Sequence, residues 1–106
     1  MVVVRKDLGS AGHLSAQAAH AAAEICLRNG ELLSRRGWAN GIVVVVAVPD
    51  AAALAKLRDL TRAFLQADEW AEFQEDDGRG LTAIAMLADA VTHSEVMRAI
   101  GKLPLL

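Results

Sequence analysis

The sequence has one cysteine, two prolines and no tyrosine, and aromatic residues make up 4% of its 106 positions. A lone cysteine excludes a disulfide within the chain and suits a reducing compartment. Cys26 stands among the alanines of a helical stretch and reads as a small, inert core residue. The aromatics are Trp38, Phe64, Trp70 and Phe73. The core must therefore be built from Ala, Val and Leu, which favours close packing of helices on a sheet. An excess of positive charge is missing too. Eleven Lys and Arg stand against 13 Asp and Glu, a net charge of −2. That argues against a strongly basic nucleic-acid-binding domain, while leaving room for a local basic patch. No apolar run approaches the roughly 20 residues of a membrane span. The opening valines meet Arg5 and Lys6 at once, so no signal peptide is expected. The expectation is a cytoplasmic chain without a membrane segment.

What is present is ordered. The length fits one domain over residues 1–106, with 54% apolar and 23% charged residues. Val2–Val4 reads as a strand. Gly9, Ser10 and Gly12 punctuate a loop, and Ser10 can cap the helix that follows. That helix is expected from about Ala11 to Asn29, with Leu14, Ala18, Ala21 and Ile25 inward and Gly30 closing it. Glu31–Arg36 reads as a further helical turn, and Gly37, Asn40 and Gly41 break the chain. Ile42–Val48 reads as a strand covered on both faces. Asp50 opens a helix over Ala51–Gln66, with Leu54, Leu57, Leu60, Phe64 and Leu65 inward. Glu69–Glu75 alternates like a half-exposed edge strand, and Asp76–Gly80 reads as a hairpin turn. Leu81–Leu87 is a second interior strand. A helix over His93–Gly101 follows, with Thr92 as cap and Glu95 in the box position. The order β-α-(α)-β-α-β-β-α predicts a three-layer α/β fold, a mixed four-stranded sheet with helices on both faces.

Three groups of residues can carry chemistry. His13, Gln17, His20 and Glu24 follow one another at offsets of 4, 3 and 4, so they lie within roughly 60° on a helical wheel. The helix therefore bears one polar, titratable stripe, unless that stripe is merely a solvated surface. His13 falls in the first turn, where free N–H groups and the helix dipole favour an anion. His20 and Glu24 have an i, i+4 spacing that metal sites also use, but HxxxE without a second close histidine falls short of a zinc motif, and no metal is expected. Asp76, Asp77 and Arg79 form an acid-and-arginine turn, which becomes a site only if the turn folds back on the first helix. Gly9-x-x-Gly12 is too weak to mark a phosphate loop.

The stretch VVVRKDLGSAGHLSAQAAHAA resembles the opening of the second-class (archaeal and eukaryotic type) peptidyl-tRNA hydrolases. Their pattern is a valine-rich strand, R-x-D-L, a glycine turn, then G-K-x-x-A-Q-x-x-H-A. Arg5, Asp7, Leu8, Gly12, Ala16, Gln17, His20 and Ala21 match it. GIVVVVAVPDAAALAKL is similar to the family's strand followed by a P-D-E helix. EDDGRGLTAIAM is similar to its Q-D-A-G-R-T hairpin and T-V-L-G-I strand, with Asp76, Gly78, Arg79 and Thr82 matching. The chain departs from the pattern in carrying His13 at the lysine position and in a shortened hairpin, where Gly80-Leu81 replaces a longer segment.

The resemblance implies hydrolysis of the ester between a peptidyl or acyl group and the tRNA 3′ ribose, without a metal or other cofactor. It implies tRNA or acyl-tRNA as partner and a homodimer, with Trp38 or Trp70 as candidate interface residues. It places the polar catalytic pair on His13 and Asp76, and substrate-binding roles on Gln17, His20, Thr82 and Arg79. The alternative is a fold retained as a small-molecule or partner-binding module, or a repurposed pathway enzyme, without tRNA hydrolysis.

Overall fold

A computed structural model describes residues 1–35, 43–92 and 94–106. The expected Trp38 interface position, the break at Gly37–Gly41, Arg36, Ile42 and His93 lie outside the described residues.

Four strands form one sheet in the order β2-β1-β4-β3. Strand β1, Val2–Arg5, runs parallel to β2, Val45–Val48, and antiparallel to β4, Gly80–Met86. Strand β3, Trp70–Glu75, pairs antiparallel with β4 at the edge. Alternation along β1 divides the core. Val2 and Val4 join Ala47, Ala71, Ala83 and Ala85 under helix α1, Ala11–Arg35. Val3 joins Val46, Val48, Ile84 and Met86 under α2, Ala51–Phe64, and α3, Glu95–Ile100. The three-layer α/β arrangement expected from the sequence is the one observed. On the α1 side, Ala18 and Ala21 meet sheet alanines. Small residues on both partners let the helix approach closely, so its polar stripe sits near the sheet.

Helix α1 is two helical segments that meet at Asn29, where the sequence predicts one helix to end and a further helical turn to follow. Asn29 leaves helical geometry at φ −130° and ψ 24°, and the helix resumes to Arg35. Leu33 is buried and Leu32 packs beside it. This burial holds the second segment to the core beyond Asn29-Gly30. Strand β2 is shorter than the apolar run suggests, since Val43 and Val44 are exposed. The run is apolar because both faces of β2 are covered, although β2 lies at a sheet edge. That edge is met by residues 104–106: Ala47 N–H donates to the Pro104 carbonyl and Leu106 N–H to the Val45 carbonyl, both at 3.0 Å.

In α2, Asp50 caps as expected, accepting from Ala53 N–H at 2.9 Å. Phe64, expected inward, is 55% exposed. The helix ends there, and the extended backbone of Leu65 turns that residue into the core in its place. Thr61 fills the inward position between Leu57 and Leu65, its hydroxyl bonded to the Leu57 carbonyl at 2.9 Å. In α3 the cap is Ser94 rather than Thr92, because Met97 N–H reaches the Ser94 hydroxyl at 3.2 Å. Thr92 instead faces back to the Ala88 carbonyl at 3.4 Å. Glu95 therefore lies in the first turn and pairs with Arg98 instead of closing a box. No described helix is long and apolar enough to cross a membrane.

Candidate active site

The site forms where the start of α1 meets the β3–β4 hairpin. Ser10 opens the helix as expected, accepting from His13 N–H at 3.3 Å. This places His13 half-buried on the first turn. The hairpin turns tightly because Gly78 and Gly80 take φ of +92° and +68°, a region that glycine enters without strain. Asp77 accepts from the main-chain N–H of Arg79 at 3.2 Å and from its side-chain Nε at 2.7 Å. The turn thus aims the Arg79 guanidinium at α1, where Nη1 meets Nε2 of His13. The condition set by the sequence, a turn that folds back on the first helix, is met.

A bulge completes the arrangement. Phe73 lies opposite Ala83, yet the next residue, Gln74, lies opposite Leu81, so Thr82 is left unopposed. Strict alternation would turn Thr82 to the α2 side with Ile84. The bulge re-aims it toward α1. There its hydroxyl donates to Gln17 Oε1 at 2.7 Å. Gln17, also buried, donates through Nε2 to Glu75 Oε1 at 3.0 Å. Both ends of the amide are satisfied, as a buried polar group requires. The same Glu75 oxygen lies 3.7 Å from His20 Nδ1 and 4.0 Å from Arg79 Nη2. These contacts all fall on Oε1, leaving Oε2 without a hydrogen-bond partner among the described residues. The His20 ring also packs on Phe73, with centroids 4.5 Å apart.

The structure therefore brings His13, Gln17, His20, Arg79 and Thr82 into one connected cluster. Asp76 is not in it. That residue is exposed in the turn, and none of the cluster's hydrogen bonds among the described residues ends on it. The carboxylate that faces α1 is Glu75. Glu24, the far end of the helical stripe, bonds Arg28 at 2.9 Å instead. Sequence reasoning missed Glu75, although alternation from Ala71 and Phe73 puts it on the α1 side of β3. Arg5, which the sequence marked only as a match to the family pattern, reaches the hairpin: its Nη1 donates to the carbonyls of Arg79 and Leu81 at 2.8 and 3.2 Å.

Charge within the cluster is set by pairs. The Asp77 hydrogen bond raises Arg79 above its ordinary pKa, and the same bond holds the Asp77 carboxyl below its own. Asp7 does likewise for Arg5, with two contacts of 2.8 Å. Both arginines thus remain cations at any working pH. No group of three or more His, Cys, Asp or Glu that could hold a metal ion occurs among the described residues.

The model of the family described as peptidyl-tRNA hydrolase PTH2 matches residues 1–106, the whole chain. The chain belongs to this family. No curated protein matches it. As a peptidyl-tRNA hydrolase family member it is a hydrolase-type chain, with peptidyl-tRNA-hydrolase-like function.

Proposed function

We propose that the chain hydrolyses the ester joining a peptidyl or acyl group to the tRNA 3′ ribose, without a metal, at the His13–Arg79–Glu75 cluster. The observation that carries this reading is Glu75. Gln17 pins its Oε1 while Oε2 is free to take a water proton. In the proposed step, a water oxygen bonds to the ester carbonyl carbon and its proton passes to Glu75. The carbonyl becomes an oxyanion beside the donors of Arg79. The bond to the ribose oxygen then breaks, and the proton moves from Glu75 to that oxygen. A carboxylate base and cationic donors are what such a step needs. The geometry supports Glu75 over Asp76 as the carboxylate, with Gln17, Thr82 and His20 orienting it. The family resemblance is the support for tRNA as partner and for a homodimer, which light scattering on the purified chain reads directly. The single cysteine supports a cytoplasmic site of action.

The test is turnover of an N-blocked aminoacyl-tRNA and of a small acyl ester by wild type, Glu75→Gln and Asp76→Asn. Wild type is expected to release the acyl group, and Glu75→Gln to lose about 100-fold or more. Asp76→Asn is expected to stay close to wild type. A wild type inert on both substrates ends the proposal. Loss confined to Asp76→Asn returns the carboxylate role to that residue.

A further inference from the structure

We infer that Arg79, oriented by His13, supplies the fixed positive charge of the site, and that His13 serves as its acceptor rather than as base or cation. The inference rests on the hydrolase reading above. It starts from an asymmetry of chemistry. A guanidinium carries only donors and does not lose its proton in proteins. In the Arg79–His13 contact, Nη1 must therefore donate and Nε2 must accept. A ring that accepts through Nε2 keeps its proton on Nδ1, and its lone pair is occupied. A lysine at position 13 could not make this bond, since two donors would face one another. The family-pattern departure at this position thus turns a second cation into a partner for the first.

Arg79 is held from every side that a fixed charge requires. Its main-chain carbonyl is bound by Arg5 at 2.8 Å. Its Nε and Nη2 are gripped by Asp77 at 2.7 and 2.6 Å. Its Nη1 is bound to His13. Among the described residues, one hydrogen on Nη1 and one on Nη2 remain uncommitted, and the side chain is 30% exposed. Two adjacent N–H groups on a partly exposed, immobilised cation are suited to an oxyanion, because stabilisation is greatest where donors need no reorganisation. Nη2 stands 4.0 Å from Glu75 Oε1, so the cation sits beside the proposed base.

Two measurements test this. The first is the tautomer of His13, read by long-range proton–nitrogen correlation NMR on the intact protein at a pH where the ring is neutral. Wild type is expected to show the Nδ1–H form, and Arg79→Ala to lose that preference. A wild-type ring carrying its proton on Nε2 overturns the inference whether or not the protein is active. The second is kinetic. Arg79→Ala is expected to lower kcat by about 100- to 1000-fold with KM little changed. His13→Lys introduced into Arg79→Ala is expected to recover about tenfold or more of that loss. An Arg79→Ala variant with wild-type kcat overturns the inference and leaves the hydrolase reading standing. A wild type without turnover removes the hydrolase reading and the catalytic half of this one, and the tautomer still decides the bond. Circular dichroism of each variant confirms that the fold is kept.

Discussion

Arg5 Nη1 donates to the main-chain carbonyl of Arg79 at 2.8 Å, so the end of β1 holds the hairpin residue that touches His13. The same nitrogen reaches the Leu81 carbonyl at 3.2 Å, while Nε and Nη2 take the two oxygens of Asp7. One planar fork joins a strand end, the turn after it and the far hairpin, a job that a point charge on a flexible stem does poorly. Replacing Arg5 by Lys is therefore expected to be far from conservative. Loss of the two carbonyl contacts should cost about 1–3 kcal/mol in urea unfolding, and kcat should fall with it because Arg79 is no longer anchored.

Acid should find the Arg5–Asp7 pair. The Arg5 hydrogen bond lowers the Asp7 carboxyl below its ordinary 3.8. The folded state thus binds its proton less readily than the unfolded state. The pair's contribution is full above about 3.8 and is lost as pH falls through the lower folded value. Thermal unfolding followed from pH 5 downward should show this decline, and Asp7→Asn should flatten it while lowering the plateau.

Gln17 and Thr82 should behave as one unit. Gln17→Leu strands the Thr82 hydroxyl, and Thr82→Val leaves Gln17 Oε1 without its short bond. Each single change is expected to destabilise by about 1–3 kcal/mol. The double variant should fall well short of their sum, with a coupling of roughly 0.5–3 kcal/mol in a denaturant double-mutant cycle.

The start of α3 gives a sharper comparison. Ser94→Ala should cost about 1 kcal/mol, because the Met97 N–H loses its acceptor. Thr92→Ala, two residues earlier, should be nearly silent in the same melt.

Leu54 sits fully buried where α2 meets β1 and β4. Leu54→Ala is expected to cost about 2–5 kcal/mol, the range for a buried leucine that leaves a cavity. The loss should appear in stability alone, with the geometry around Glu75 untouched on the opposite face of the sheet.

The layered fold was legible because periodicity reports burial directly. The valines of β1 and the alternation of β3 each named a face correctly, as did the last four residues of the apolar run, Val45–Val48. The misreadings came where tertiary packing overrode a local signal. Phe64 is the larger apolar residue, but the helix ended under it and Leu65 took the place. Thr92 and Ser94 are both good caps, and only the docking of Val96 and Ile100 chooses between them. Within the site, the helical spacing of His13, Gln17 and His20 was visible from residues alone. Thr82 was reached only through resemblance, because a bulge cannot be read from alternation and this one reverses the direction of the side chain. Glu75 was open to discovery by simple parity along β3.

The pairing of residues 104–106 along β2 has a consequence for assembly. A sheet with two bare margins can add strands without limit, as fibres do. Here one margin is occupied by the chain's own backbone, and β3 holds the other. Strand addition from copy to copy is then expected at β3, the sheet edge that no other backbone covers among the described residues.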